Sequence, residues 1–271
     1  MVKRLLTSFV GLIVFFFALF FPFGMEIKYP NALFTLAVLG ITLIAIYELH
    51  KAITKRKELF VVGWIMTVVI FVGNITGNLL PAILALLIVY LFLSVVEFGK
   101  EEVKIVYMLG FATCVYSTFI STIANIKTEF SIAATFLPFL LAWITDSGAY
   151  FVGCSIGKHK LIPKLSPKKT VEGAIGGLVA CVLISLGYVL LLDKCFNISL
   201  FGGGDYYKML ILSIIGSVIS QLGDFASSAV KREFNVKDFG NLLPGHGGVL
   251  DRFDSIIFVA PFVYYILTLL A

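Results

Sequence analysis

The chain has 271 residues, of which 59% are hydrophobic and only 14% are charged, and its mean hydropathy is +1.02. This composition is too apolar for a water-soluble globular protein and indicates an integral membrane protein. The net charge of +5 predicts basic loops that face anionic lipid.

The apolar stretches predict nine transmembrane helices. A helix needs about 20 residues to cross the hydrocarbon core of a bilayer, and stretches near that length recur along the chain. A membrane barrel would instead show segments of about ten residues with alternating polar positions. The predicted fold class is therefore all-α, a polytopic membrane helix bundle. The predicted spans are Leu5 to Phe23, Ala32 to Leu49, Leu59 to Gly73, Leu79 to Val96, Ile105 to Ala124, Ile132 to Phe151, Ala174 to Leu192, Lys208 to Ala226 and Leu250 to Leu270.

Two of these spans allow a second interpretation. The third is short and is followed by polar residues from Asn74 to Asn78, so the third and fourth could form one re-entrant hairpin, leaving eight spans. The first begins after two basic residues, as a signal peptide does. Its bulky run from Phe15 to Phe23 lacks a small-residue cleavage site, so we expect it to be retained.

The distribution of lysine and arginine predicts the orientation, because loops rich in these residues stay cytoplasmic. With nine spans and a cytoplasmic N-terminus, 17 of the 21 basic residues fall on the cytoplasmic side. The opposite side holds only Lys28, Lys127, Lys194 and Lys208. The C-terminus then lies outside. A count of eight spans would mix the two groups.

Polar residues divide the chain into two regions. In residues 1–125 they fall almost wholly in loops, which is typical of packing and lipid-facing helices. In residues 126–271, acidic residues lie inside or at the ends of apolar spans, and we expect cytoplasmic loops at 153–173 and 227–249. We therefore expect the function to lie in the C-terminal region.

Four carboxylates in that region predict a metal site: Asp146, Asp224, Asp251 and Asp254. A charge at membrane depth costs about 2.5 to 3.5 kcal/mol and is usually kept for function. Carboxylate oxygens suit Mg²⁺, which completes its shell with substrate phosphates and water. The alternative is that Asp251 pairs with Arg252, and Asp254 with Lys231, as buried salt bridges.

The glycine-rich segment before the last span predicts a phosphate site. Gly245, Gly247 and Gly248 permit tight turns that lead directly into a helix start, where free backbone amides bind anions. His246 lies within this turn and could contact phosphate, transfer a proton or only stabilise the turn. The other histidines, His50 and His159, are interpreted as ordinary residues of basic loops without a role.

A second basic segment follows the sixth span. We expect Ser166 to cap a helix whose first turn contains Lys168 and Lys169. Lysines are unfavourable at a helix N-terminus, so a bound polyphosphate would explain them. The alternative is a solvated loop with a Lys168–Glu172 pair. Further on, the GxxxG spacing from residue 173 to 177 predicts close helix packing.

Three segments of the chain resemble motifs of the phosphatidate cytidylyltransferases, or CDP-diacylglycerol synthases. They are SPKKTVEG at residues 166–173, TDSGAY at 145–150, and the segment from Ser228 to Asp254. The residues that match in the last segment are Ser228, Lys231, Arg232, Lys237, Asp238, Gly240, Leu243, Pro244, His246, Gly247, Gly248, Asp251, Arg252 and Asp254. The N-terminal region is similar to the family only in being hydrophobic.

This resemblance implies metal-dependent transfer of the cytidylyl group of CTP to phosphatidic acid, which forms CDP-diacylglycerol and pyrophosphate for phospholipid biosynthesis. The expected catalytic residues are Asp224, Asp251, Lys231, Arg232 and His246. The expected substrate-binding residues are Ser166, Lys168, Lys169, Glu172, Ser228, Gly245, Gly247, Gly248 and Arg252. Asp224 and Asp251 are the expected Mg²⁺ ligands, with Asp146 and Asp254 as further ligands or neighbours; a second divalent ion or a monovalent cation is left open.

The expected partners are CTP, phosphatidic acid, membrane lipids and a second copy of the chain, with no nucleic acid. The expected location is a prokaryotic inner or plasma membrane, with the active site facing the cytoplasm. Two other functions are weighed. A CTP-dependent polyprenol kinase would release CDP, and an ion-coupled transporter would show two pseudo-symmetric halves with matching broken helices.

Overall fold

In the computed structural model of the chain, residues 31–99, 103–242 and 247–270 are described. They contain eight helices, each long and apolar enough to cross a membrane. The helices are α1 (Ala32–Ile53), α2 (Lys57–Ile75), α3 (Leu79–Val96), α4 (Val103–Glu129), α5 (Ile132–Ile156), α6 (Val171–Phe196), α7 (Asp205–Glu233) and α8 (Leu250–Leu270). Each corresponds to one predicted span. The remaining predicted span, Leu5 to Phe23, lies outside the described residues.

The third and fourth predicted spans are two separate helices, α2 and α3. Both reach membrane-spanning length, and they are joined by a short turn in which Gly77 has a φ of 74°. A positive φ suits glycine, which has no side chain to clash with the backbone. Each of the two helices is therefore long enough to cross a membrane by itself.

A short antiparallel hairpin lies between α5 and α6. Its strands are β1 (Lys160–Ile162) and β2 (Ser166–Thr170). The prediction that Ser166 caps a helix, with both lysines in its first turn, is wrong. The helix begins four residues later, where the hydroxyl of Thr170 accepts a hydrogen bond of 3.1 Å from the Gly173 amide.

The described residues divide into two compact units. The first comprises residues 31–128 and 234–253, and the second comprises residues 129–233 and 254–270. The first unit contains α1 to α4, the second contains α5, the hairpin, α6 and α7, and the boundary between them passes through the first turn of α8.

Polar side chains connect the helices inside the first unit. The Thr113 hydroxyl of α4 forms hydrogen bonds with the ring of His50 (2.9 Å) and the hydroxyl of Tyr90 (3.1 Å). Ser117 donates to Thr67 over 3.1 Å. Such hydrogen bonds hold helices together where lipid offers no polar partner. The interpretation of His50 as a loop residue is wrong, because its side chain is fully buried in α1.

Close helix packing dominates the second unit. A Cβ atom added to Gly177 would lie 2.6 Å from the carbonyl oxygen of Thr145, and one added to Gly173 would lie 2.7 Å from that of Ala149. Only glycine permits α5 and α6 to approach so closely at these two positions. The predicted GxxxG packing is confirmed.

Candidate functional site

The second unit contains an ion pair between the hairpin and α7. The ammonium group of Lys169 in β2 pairs with the carboxylate of Asp224. Both side chains are about one quarter exposed, at 27% and 22%. The same ammonium group lies 4.8 Å from the centre of the Phe225 ring, where a cation is attracted to the aromatic face. The lysine that contacts the predicted metal ligand Asp224 therefore comes from a β-strand and not from the first turn of a helix.

A second lysine, which belongs to α7, lies close to an aspartate of α8. The ammonium group of Lys231 is 3.9 Å from the carboxylate of Asp254, and both side chains are largely buried. This is the salt bridge that the sequence offered as the alternative to a metal ligand. Asp254 also interacts electrostatically with Asp224 and Asp146.

Asp146 of α5 completes this group of charges. Its carboxylate accepts a hydrogen bond of 3.1 Å from the hydroxyl of Ser255 and interacts electrostatically with Lys169 and Asp224. Three helices and one strand thus contribute charged side chains to one cluster. We call Asp146, Lys169, Asp224, Lys231 and Asp254 the charged cluster. The sequence identified all five residues but gave no signal for Ser255.

The charged cluster has the carboxylate oxygens that Mg²⁺ prefers, although they are not grouped in threes. Carboxylate oxygens are the ligands that Mg²⁺ prefers, and one or two of them suffice when substrate phosphates complete the shell. In the part of the chain that the structure describes, however, no three His, Cys, Asp or Glu side chains are arranged to hold a metal ion. At Asp224 a lysine ammonium group provides the compensating positive charge.

The predicted fourth ligand, Asp251, belongs to the first unit. Its Oδ2 atom accepts hydrogen bonds from the amides of Phe239 (2.8 Å) and Gly248 (3.0 Å). The carboxylate therefore connects the segment after α7 with the start of α8. Arg252, the partner that the sequence alternative proposed, has an exposed side chain.

A carboxylate that the sequence did not single out lies beside Asp251. Glu48 of α1 is buried, and its two oxygens accept hydrogen bonds from the amides of Val249 (3.1 Å) and Leu250 (2.8 Å). A glutamate inside an apolar span is itself a signal of function. Glu48 lies inside the predicted span Ala32 to Leu49, and no role was predicted for it.

These hydrogen bonds change the interpretation of the glycine turn. The amides of Gly248, Val249 and Leu250 donate to carboxylates of the protein. Phosphate binding by Gly245, Gly247 and Gly248 stays a prediction from the sequence. Gly247 has a φ of 84°, as a tight turn requires. Gly245 and His246 lie outside the described residues.

Three other predicted substrate-binding residues, Ser166, Lys168 and Glu172, belong to the second unit. Ser166 and Lys168 are in β2, where Lys168 is exposed. Glu172 accepts hydrogen bonds from the amides of Lys158 (3.1 Å) and His159 and pairs with the His159 ring, so it holds the base of the hairpin. The partner of Glu172 is therefore His159, for which no role was expected, and not Lys168, the partner in the alternative interpretation.

Two further predicted residues lie near the end of α7. Ser228 is half-buried. Arg232 is exposed, and its Nε atom lies 3.5 Å from the carbonyl oxygen of Leu165 in the hairpin turn. The end of α7 therefore contacts the same hairpin that carries Lys169.

Comparison with known proteins gives one consistent result. Residues 2–270 match the cytidylyltransferase family. A phosphatidate cytidylyltransferase of Bacillus subtilis (strain 168) is 33% identical over 282 residues, which cover 99% of this chain and 98% of that protein. Proteins with the same name from Staphylococcus saprophyticus and Staphylococcus aureus (strain COL) are 50% and 48% identical over 129 residues, which are 48% of this chain and 46% of each relative.

Proposed function

Since this chain is an enzyme that belongs to the cytidylyltransferase family, we propose that it transfers the cytidylyl group of CTP to phosphatidic acid. The products are CDP-diacylglycerol and pyrophosphate. The observation that carries this proposal is the similarity along nearly the whole length of both chains to a relative with this activity in its name. The charged cluster supports it, because its two lysines can bind phosphate oxygens and its three aspartates can hold a cation.

The reaction needs little covalent chemistry from the protein. An oxygen of the phosphatidic acid phosphate attacks the α-phosphorus of CTP, and the bond between the α-phosphorus and the bridging oxygen of the leaving pyrophosphate breaks. An ionised lipid phosphate is already nucleophilic, so no general base is needed. The enzyme must hold the two phosphates in line and neutralise charge on the leaving group.

Lys169, Lys231 and Arg232 are the residues that we propose for this neutralisation. Lys169 and Lys231 each lie close to an aspartate, so a phosphate group entering the cluster competes with that aspartate for the ammonium group. If the Lys169 ammonium group bound a phosphate oxygen instead of Asp224, a carboxylate oxygen of Asp224 could then bind another partner. Arg232, at the exposed end of α7, adds a fork of donors that matches phosphate oxygens.

We further propose that the reaction depends on Mg²⁺. Asp224 would hold the ion together with Asp146 or Asp254, and substrate phosphates would complete its shell. When bound, Mg²⁺ supplies additional charge neutralisation on phosphate oxygens. Asp251 as a ligand, His246 as a catalytic residue and Arg252 as a phosphate-binding residue stay predictions from the sequence.

The chain is an integral membrane protein, and we propose that it acts at a bacterial cytoplasmic membrane with the active site facing the cytoplasm. The uneven distribution of lysine and arginine supports this orientation. The bacterial origin of the relatives supports the location. A homodimer is expected from the family resemblance.

Product analysis tests the proposal. The purified chain in detergent or nanodiscs is given α-labelled CTP, phosphatidic acid and Mg²⁺, and both lipid and water-soluble products are identified. We expect labelled CDP-diacylglycerol and one pyrophosphate per turnover, with loss of turnover in EDTA and recovery on adding Mg²⁺. Release of CDP would indicate a lipid kinase instead. Ion-driven uptake into liposomes without CTP turnover would indicate a transporter. Full activity in EDTA would contradict the metal dependence alone.

A further inference from the structure

Glu48 makes an unusual contact for a residue of an N-terminal membrane helix. Its Oε1 atom accepts from the Val249 amide and its Oε2 atom accepts from the Leu250 amide, so both oxygens bind the start of α8. The first amides of a helix have no partner within it, and a carboxylate there also interacts favourably with the helix dipole. The partner that caps α8 thus comes from about 200 positions away in the sequence.

Asp251 adds a second carboxylate that accepts hydrogen bonds from backbone amides at the start of α8. It accepts from Gly248 and from Phe239, while Glu48 accepts from the next two amides along the chain. The carboxylates of Glu48 and Asp251 therefore accept from the three consecutive amides of residues 248–250. Asp251 also binds the amide of Phe239. The start of α8 is defined by side-chain acceptors rather than by local turn geometry alone.

The glycines around this point are explained by the same carboxylate. A Cβ atom added at Gly240 or at Gly248 would collide with the carboxylate group of Glu48. Both glycines belong to the segment that resembles the family signature. In this chain, both glycines leave room for the carboxylate group of Glu48.

We propose that Glu48 is a positioning residue for the transferase reaction. By holding the start of α8, it fixes the backbone from which Asp251 and Arg252 project. A displacement of about 1 Å in such a group can lower a rate up to a hundredfold. This inference rests on the proposed function, because Asp251 and Arg252 are assigned to substrate or metal through that function.

Kinetics of substituted enzymes give the first test. Glu48→Gln keeps the size of the side chain but turns an NH₂ group toward an amide donor, and Glu48→Ala removes both acceptors. We expect kcat to fall roughly tenfold for the first and roughly a hundredfold for the second, with KM for CTP within about twofold of the wild-type value. Glu58→Gln is the matched control, because this glutamate of the same unit is 73% exposed. A kcat per folded molecule that equals the wild-type value in both variants would overturn the proposal.

Hydrogen exchange gives a second test that does not depend on turnover. In the wild type, we expect slow exchange at the amides of Gly248, Val249 and Leu250, measured by mass spectrometry on the intact protein in nanodiscs. In Glu48→Gln, exchange at Val249 and Leu250 should rise at least about tenfold, while the amides of α6 keep their wild-type rates. Unchanged exchange at those two amides would refute the contact.

The two measurements separate the possible failures. A wild-type protein without CTP turnover would refute the proposed function, and the exchange data would still decide whether Glu48 holds the helix start. If Glu48→Ala fails to fold, Glu48→Gln carries both measurements. Faster exchange in Glu48→Gln combined with a normal kcat would show a purely structural role and would overturn the positioning proposal.

Discussion

The ammonium group of Lys169 in the hairpin and the carboxylate of Asp224 in α7 form an ion pair inside the second unit. The two residues come from segments that the sequence assigned to different roles, one to phosphate and one to metal. In this pair each side chain compensates the charge of the other. An anionic ligand that bound the Lys169 ammonium group would compete with Asp224 for it.

Removing the charge of Asp224 should abolish most of the activity. Asp224→Asn is expected to lower phosphatidic acid-dependent CTP turnover roughly a hundredfold or more, because removing one preoriented group that stabilises a transition state costs about 10²–10³ in kcat. Asp193→Asn is the control, since Asp193 is an exposed aspartate of the same unit that pairs with its neighbour Lys194. Turnover of Asp224→Asn within threefold of the wild type would contradict the role assigned to this carboxylate.

Lys169 should affect CTP binding more strongly than other lysines of the hairpin. Lys169→Gln is expected to raise KM for CTP roughly tenfold or more, since it removes a charged hydrogen-bond donor to phosphate. Lys160→Gln in β1 is the control, because that side chain is exposed. Steady-state kinetics over a range of CTP concentrations measures both variants. Equal KM values for them would mean that the hairpin acts only through its overall charge.

The positions of the eight described helices could be predicted from the sequence because hydropathy acts over one contiguous stretch. The bounds of α3 and α8 agree with their predicted spans to the residue. The hairpin was not predicted, because its position depends on contacts between separate segments and not on hydropathy along one stretch. Its strand SPKKT has no alternating hydrophobic pattern, and its position depends on Glu172, which holds the backbone of Lys158 and His159.

The charged cluster was predicted as a set of residues but not as an arrangement. Carboxylates at membrane depth are visible in a sequence because they are costly there. Which cation each one meets depends on how helices pack, so the pairing of Asp224 with Lys169 could not be predicted from the sequence. The hydrogen bond between the Leu250 amide and Glu48 could likewise not be predicted, because the two residues are 202 positions apart in the sequence.

The true start of α6 can be tested by its capping residue. Thr170→Ala removes the hydroxyl that accepts from the Gly173 amide, and it should lower the free energy of unfolding by about 1 kcal/mol. Ser166→Ala, at the start that the sequence predicted, should change it by less than about 0.5 kcal/mol. Thermal unfolding in the same detergent compares the two variants. A larger loss for Ser166→Ala would favour the earlier helix start.

The contact between α5 and α6 should tolerate no side chain at Gly177. A Cβ atom there would lie 2.6 Å from the Thr145 carbonyl oxygen and 3.1 Å from the Cβ atom of Ala149, and backbone atoms cannot yield as a flexible side chain can. Gly177→Ala is therefore expected to lower the free energy of unfolding by about 1–3 kcal/mol, the usual effect of overpacking.

Gly187 provides the matched control in the same helix, because a Cβ atom there would meet nothing within 4 Å. Alanine forms helices better than glycine by up to about 1 kcal/mol, so Gly187→Ala should keep or raise the midpoint of thermal unfolding, Tm, while Gly177→Ala lowers it. Both changes add one methyl group to α6, and only the second places it against α5. If the two variants shift Tm in the same direction by the same amount, helix propensity rather than helix contact determines the stability of this pair.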